Sequence, residues 1–352
     1  MKKWITIFII FLIPLNTFAV SCNNCIVMDM DSGRILYENN KDKKLLIAST
    51  TKIMTAVIAI ENKNLDEKVT IGDEVLPMYG TNIYIEPGEI LSLRDLLYGL
   101  ILRSGNDAAV SIAKYVSGSI DDFVELMNRK AKELDMNNTI FKNPHGLDED
   151  TQNYSTAYDL AKLMRYANTL IDFVEISGTK KWSVTTNKKS YLWYNRNKLL
   201  NDYKYLTGGK TGYTPKAGKT LVTTASKNNL NLISVVLNNP NHYQVQKELY
   251  EYLYSIYNRI LIIDKNNITF NNTQYNDLYI NYSFSYPLTK EEENSIQVVV
   301  DYYNEEKNLV VGEIYVLFKD KEIFRENIYS KGKKCKKESI LNKIITFFHS
   351  LF

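Results

Sequence analysis

Ser49-Thr50-Thr51-Lys52 sets a hydroxyl and an amine three residues apart, which on a helix is one turn along one face. A serine hydroxyl attacks a carbonyl efficiently only when a base takes its proton. A lysine becomes that base when burial or neighbouring positive charge keeps its amine neutral. The spacing alone is a weak signal. Ser111 and Lys114, Ser177 and Lys180, and Ser330 and Lys333 repeat it, and a serine ahead of a helix also reads as an N-cap. Two other segments strengthen it. Ser104-Gly105-Asn106 lies between two helical stretches, where a short loop can point a hydroxyl and a carboxamide into a cleft. Lys210-Thr211-Gly212 follows Gly208-Gly209 and precedes a strand; its lysine and threonine suit a carboxylate, and its glycine lets a substrate backbone lie close.

The elements that must position these groups are legible in outline. Residues 26–38 read as two short strands turning at Asp31-Ser32-Gly33. Apolar spacing predicts helices over 50–61, 93–102, 107–116 and 121–134, a loop at Asn143-Pro144-His145-Gly146, and a helix over 157–168 behind the Ser155-Thr156 start signal. Trp182-Ser183-Val184 is strand-like. Residues 218–225 and 231–237 flank Asn228-Asn229 as an antiparallel hairpin, and 246–260 reads as a helix. Asp107 and Asp148 could serve as catalytic carboxylates, but capping or loop-fixing is the favoured reading of both. This pattern gives an α+β body over residues 20–263, an antiparallel sheet flanked by helices. An Asn-rich stretch beginning at Asp264 opens a small all-β module over 264–330, with strand-like runs at 279–286, 295–301, 313–318 and 321–329.

Taken together and in this order, the three segments resemble the active-site set of penicillin-binding proteins and serine β-lactamases. Three longer runs narrow the resemblance to low-molecular-mass, S11-like D-alanyl-D-alanine carboxypeptidases, over roughly residues 22–263. They are Ala48-Ser49-Thr50-Thr51-Lys52-Ile53-Met54-Thr55-Ala56, Ser104-Gly105-Asn106-Asp107-Ala108-Ala109 and His145-Gly146-Leu147-Asp148. The resemblance implies a β-lactamase/transpeptidase-like domain and a two-step acyl transfer needing no cofactor. Ser49 attacks the penultimate D-alanyl carbonyl of a peptidoglycan stem peptide, D-alanine leaves, and water hydrolyses the acyl-enzyme. β-Lactams would acylate the same hydroxyl. By position, Lys52 resembles the general base, Ser104 relays a proton, Asn106 holds the substrate amide, Lys210 and Thr211 clamp the carboxylate, and Gly212 makes room. The backbone N–H groups of Ser49 and Tyr213 would form the oxyanion hole.

The chain departs from that pattern at two places: Tyr213 stands where some relatives carry His, and no Arg follows Pro240 near Tyr243 or Gln244. A class A β-lactamase would carry Asp at Gly105 and a glutamate to activate water, and neither is present. A D,D-endopeptidase would use the same residues on cross-links. A non-catalytic wall-binding or β-lactam-sensing protein would have lost one of them.

The ends and the composition set the context. Lys2-Lys3, an apolar run from Trp4 to Leu15 and a small residue at Ala19 describe a signal peptide over residues 1–19, and so an exported protein at the outer face of the cytoplasmic membrane or in the cell wall. Ala19-Val20-Ser21-Cys22 loosely fits a lipidation site as the alternative. Export would permit a disulfide between Cys22 and Cys25. At the other end, Lys331, Lys333, Lys334, Lys336 and Lys337 precede an apolar stripe from Ile340 to Phe352, which reads as an in-plane membrane-anchor helix over 331–352. The net charge of +3 is close to balance, and no Arg-rich stripe or zinc-finger spacing points to nucleic acid. The three histidines, His145, His242 and His349, are too scattered to hold a metal.

Overall fold

The computed structural model describes residues 22–270, 275, 277–307, 309–331 and 345–347. The signal peptide expected over 1–19 and the basic cluster from Lys333 onward lie outside the described residues.

β1 (Cys25–Asp29) and β2 (Ile35–Asn39) form the expected hairpin. Its turn is fixed by Asp29, whose carboxylate accepts from the Ser32 N–H at 2.8 Å and the Ser32 hydroxyl at 2.5 Å. β3 (Leu45–Leu46) leads into a 3-10 turn, Ala48–Thr51, and then α1 (Lys52–Asn62), so the first motif straddles a helix start. β4 (Lys68–Thr70) and β5 (Ile90–Ser92) pair before α2 (Leu93–Tyr98), which opens on a capping box between Ser92 and Asp95. The helix expected to reach Leu102 changes at Gly99–Arg103 into a π-turn, a wider winding that recurs at functional sites. α3 (Asn106–Ser117) and α4 (Ile120–Glu133) follow as the periodicity predicts. β6 (Tyr154–Ser155) pairs with β3, and α5 (Ala157–Ala167) starts at the Thr156 cap, whose hydroxyl accepts from the Asp159 N–H. α6 (Ile171–Gly178) and the hairpin of β7 (Lys181–Thr185) and β8 (Ser190–Tyr194) come next, then a single turn, α7 (Leu199–Asp202).

β9 (Leu206–Thr214), β10 (Gly218–Lys227) and β11 (Leu230–Val236) complete a five-stranded sheet in the order β2-β1-β11-β10-β9, antiparallel throughout. The β10–β11 turn places Asn228 and Asn229 at φ 51° and 61°, the left-handed pair that a two-residue hairpin loop requires. Period-two alternation sends the side chains of this sheet into two cores. Ile26, Met28, Val222, Ile233 and Val235 pack in the cluster with α1, α3 and α5, while Val27, Leu221, Leu232 and Val236 pack with Leu249, Tyr250 and Leu253 of α8 (His242–Ile256). The sheet is therefore buried on both faces, and β9 is left as an edge strand beside the first motif. Cys22 and Cys25 are joined in a disulfide and buried against the α8-side core.

The helix expected over 246–260 starts earlier and ends sooner. Tyr257 is extended, and β12 (Asn258–Ile263), an Ile-rich run suited to a pleated surface, pairs instead with Phe284–Leu288 further along the chain. Beyond it, the run expected as one strand over 279–286 is broken into β13 (Leu278–Tyr279) and β14 (Phe284–Leu288). β15 (Ile296–Lys307), β16 (Val310–Phe318) and β17 (Lys321–Ser330) form an antiparallel sheet around Ile263, Val311, Ile314, Val316 and Ile328. Most of the terminal helix expected over 331–352 lies outside the described residues. Its described part does not bear out a helix: Ile345–Phe347 pairs with β15 as β18, because a sheet edge offers unpaired backbone groups to a segment of β-favouring residues.

Arg34, in the β1–β2 hairpin, ties this second sheet to the first. Its guanidinium bonds Glu292 at 2.6 Å and the Pro287 carbonyl, and lies over the ring of Phe318 at 4.7 Å. Arg259 of β12 pairs with Asp31 at 2.7 Å.

Candidate active site

The three segments meet. Lys52, at the first turn of α1, is completely buried and places its Nζ 3.1 Å from Ser49 Oγ. The same nitrogen lies 2.7 Å from Asn106 Oδ1 and 2.5 Å from the His145 carbonyl oxygen. These two oxygens can only accept. A neutral amine has two N–H donors and one lone pair, so donating to both leaves the lone pair for the Ser49 hydroxyl. Burial drives the Lys52 pKa well below the ordinary lysine range, with the charges of Lys210 and Arg196 pushing the same way and Asp107 opposing. Geometry and electrostatics thus both favour a proton acceptor at Lys52.

Ser104 ends the π-turn in a left-handed conformation, φ 66°, unusual for a residue with a side chain. Its Oγ lies 3.0 Å from Nζ of Lys210, which reaches across from β9 and also donates to the Thr211 carbonyl at 2.8 Å. Lys210 is buried, and desolvation with the nearby Arg196 charge pushes its pKa down to about 7. An incoming carboxylate would reverse that shift and hold the lysine protonated. Asn106 spends its carboxamide on the scaffold as well: Oδ1 accepts from Lys52, and Nδ2 donates to the Tyr79 carbonyl at 2.8 Å. Thr211 is half-buried on β9, and the Tyr213 side chain is exposed.

Gly212 sits directly against Ser49. A Cβ there would stand 3.0 Å from Ser49 N, 3.1 Å from Thr50 N and 2.4 Å from Thr220 Oγ1. Glycine at this position is what keeps the space beside the Ser49 N–H open.

The family model described as D-alanyl-D-alanine carboxypeptidase matches residues 14–241. The chain belongs to that family. It is similar to D-alanyl-D-alanine carboxypeptidase DacF of Bacillus subtilis, 37% identical over 224 residues, and to DacC of Escherichia coli, 39% identical over 233 residues. Each match covers 62% of this chain, and the chain spans 57% of the length of each of these curated relatives. Among solved structures, penicillin-binding protein 5 from Haemophilus influenzae superposes with a TM-score of 0.74 at 27% identity, covering 90% of this chain and 98% of that one. Penicillin-binding protein 6B from Escherichia coli gives 0.70 at 28% identity, covering 88% and 95%. The body of sheet and helices is that of the family's penicillin-binding, transpeptidase-type fold.

Some groups that line this site are not readable from motif spacing. The His145 carbonyl bonds Lys52, and Asn143 and Asn153 brace the loop that presents it. Asn143 Oδ1 accepts from the Gly146 N–H at 2.6 Å, while Asn153 Nδ2 donates to Thr51 Oγ1 at 3.0 Å. The His145 imidazole itself is pushed down to about 3, chiefly by burial, so it stays neutral at pH 7. Arg196, between β8 and α7, places a positive charge near Lys210, and that position emerges only from the fold. Asp107 behaves as the loop-fixing residue expected of it, accepting from the N–H groups of Ile83, Tyr84, Ile85 and Ala108. Among the described residues no His, Cys, Asp and Glu cluster could hold a metal ion.

Proposed function

We propose that this chain is an exported serine-type D-alanyl-D-alanine carboxypeptidase, a hydrolase that removes the terminal D-alanine from peptidoglycan stem pentapeptides. The observation that carries the reading is Lys52: two carbonyl-type acceptors fix its N–H groups, and its lone pair is left to the Ser49 hydroxyl. Ser49 attacks the penultimate D-alanyl carbonyl as Lys52 takes its proton. The oxyanion develops against the backbone N–H groups of Ser49 and Tyr213, in the space that Gly212 leaves free. Ser104, linked to Lys210, returns a proton to the departing D-alanine amine. Lys210, Thr211 and the charge of Arg196 hold the terminal carboxylate, and Asn106 anchors Lys52 and lines the substrate amide. Water then hydrolyses the acyl-enzyme. β-Lactams, whose strained amide and carboxylate mimic that peptide end, acylate Ser49 and stop there.

The same reading assigns residues 20–263 to catalysis and 264–330 to an appended β unit. Residues 1–19 direct export, which the Cys22–Cys25 disulfide supports; an acylated Cys22 could not form it. Residues 331–352, a basic cluster followed by an apolar stripe, hold the protein on a membrane surface. Among the described residues no helix is long and apolar enough to cross. Removing 331–352 should release the protein from membranes, and a truncated protein that still sediments with them would overturn this assignment.

Incubating the purified protein with a stem pentapeptide tests the activity. The expected product, seen by mass spectrometry, is the tetrapeptide and one free alanine per turnover. An intact pentapeptide after long incubation would refute it, and preferential cleavage of a cross-linked muropeptide would make the enzyme an endopeptidase.

A further inference from the structure

The loop between Asn143 and Asn153 touches both halves of the oxyanion site. On one side Gly146, at φ +88°, lies so close to the Ala48–Ser49 peptide that a Cβ would stand 2.0 Å from the Ala48 carbonyl oxygen and 3.0 Å from Ser49 N. Two residues on, Asp148 is 4% exposed and accepts a 2.5 Å hydrogen bond from Thr214 Oγ1. Thr214 ends β9, one residue beyond Tyr213. The contact is reinforced locally. Lys216 Nζ donates to the Asp148 carbonyl at 2.9 Å, and the Ala217 N–H donates to Thr214 Oγ1 at 3.0 Å.

Thr220 of β10, opposite Gly212, bonds the Ile47 carbonyl at 3.4 Å and so ties the middle of this sheet edge to the 3-10 turn that carries Ser49. β9 has a strand on one side only, however, and its far end, beyond Tyr213, needs a second reference. The 146–148 segment supplies that reference, since it abuts the Ser49 peptide at one end and is bonded to the end of β9 at the other. We propose that Asp148 is a positioning residue: through Thr214 it sets the spacing between the Ser49 and Tyr213 N–H groups that receive the oxyanion. The inference rests on the acyl-transfer reading above. It gives the carboxylate a task beyond holding a loop, because the transition state is sensitive to donor placement on the scale of an ångström.

Acylation by a fluorescent penicillin separates the possibilities, with the rate constant and the final labelled fraction measured together. Asp148→Ala and Thr214→Val should each slow acylation by about 10- to 100-fold, the scale of a misplaced catalytic group, while the labelled fraction still reaches that of the wild type. The double variant should be no slower than the slower single one, because both break the same link. Asp148→Asn and Thr214→Ser, which keep an acceptor and a donor, should stay within about threefold of the wild type. For the peptide substrate the loss should fall on kcat and leave KM nearly unchanged. Wild-type rates in both single variants, or costs that multiply in the double variant, would overturn the proposal; if Asp148→Ala does not fold, Thr214→Val decides. A folded wild type that is never acylated would refute the acyl-transfer reading, and the proposal would fall with it.

Discussion

Gly212→Ala is the sharpest small perturbation the site offers. Gly212 does not occupy the left-handed region, so an alanine meets no backbone penalty and its whole effect is steric. The new methyl would stand 2.4 Å from the Thr220 hydroxyl, a separation that must be relieved, and 3.0 and 3.1 Å from Ser49 N and Thr50 N. Thr220 is completely buried, so it has little room to retreat and β9 must move outward instead. An oxyanion would need to sit about 2.7–3.1 Å from the Ser49 nitrogen. The methyl therefore competes for that shell, and strand movement carries the Tyr213 N–H away from it. Losing one such donor costs about 100- to 1,000-fold, or roughly 3–4 kcal/mol, and the acylation rate should fall by that order. Stopped-flow labelling with a fluorescent penicillin measures it. Gly208→Ala supplies the contrast on the same strand: its Cβ would press on Ser177 Oγ at 2.5 Å, lowering thermal stability while sparing acylation. A folded Gly212→Ala protein acylating within about threefold of the wild type would refute the steric reasoning.

Acylation requires Lys52 neutral and Lys210 protonated, so kcat/KM should rise with pH as Lys52 loses its proton and fall above about 7 as Lys210 does. Arg196→Gln removes a charge that depresses Lys210, and should move the alkaline limb to higher pH; an unmoved limb in a pH–rate profile contradicts this. The folded His145 imidazole is held near 3 against an unfolded value near 6.5, so the unfolded chain binds more protons and stability declines as pH falls from 6.5 towards 3. His145→Gln should flatten that decline in melting curves, and parallel curves would count against it. Arg34→Ala removes the Pro287 carbonyl bond, the stacking on Phe318 and one of the two cations on Glu292, leaving Lys319 at 3.1 Å. It should destabilise this junction by about 1–2 kcal/mol, read as earlier proteolysis or hydrogen exchange in residues 258–330. Unchanged exchange there would show that Arg34 does not hold the two sheets together.

The sequence is most legible where one local signal suffices. The β1–β2 turn, the Asn228-Asn229 hairpin and the helix started by Thr156 each follow from residues within a few positions, and the structure reproduces them. The motif residues Ser49, Lys52, Ser104, Asn106 and Lys210 converge because their chemistry marks them independently of the fold. Other features depend on distant partners. Nothing near Leu102 announces a π-turn; it arises where the helix must deliver Ser104 to Lys210, 106 residues later. The Lys52–His145 contact uses a backbone carbonyl, which any residue could supply, so no side-chain pattern records it. The end of α8 is hidden for a related reason: the apolar run at 260–263 suits a helix or a strand, and pairing with β14 decides between them. Arg196 illustrates the same limit, since a lone arginine in a loop carries no sign that it faces two buried lysines.

The central claim is that Ser49 is the atom acylated, with Lys52 as its base. Intact-protein mass spectrometry after exposure to benzylpenicillin, followed by proteolytic mapping, tests it most directly. One penicilloyl group per chain should appear, on the peptide containing Ser49, and it should be absent in folded Ser49→Ala and greatly slowed in Lys52→Met. A penicilloyl group on any other residue, or undiminished labelling of Ser49→Ala, would contradict the account.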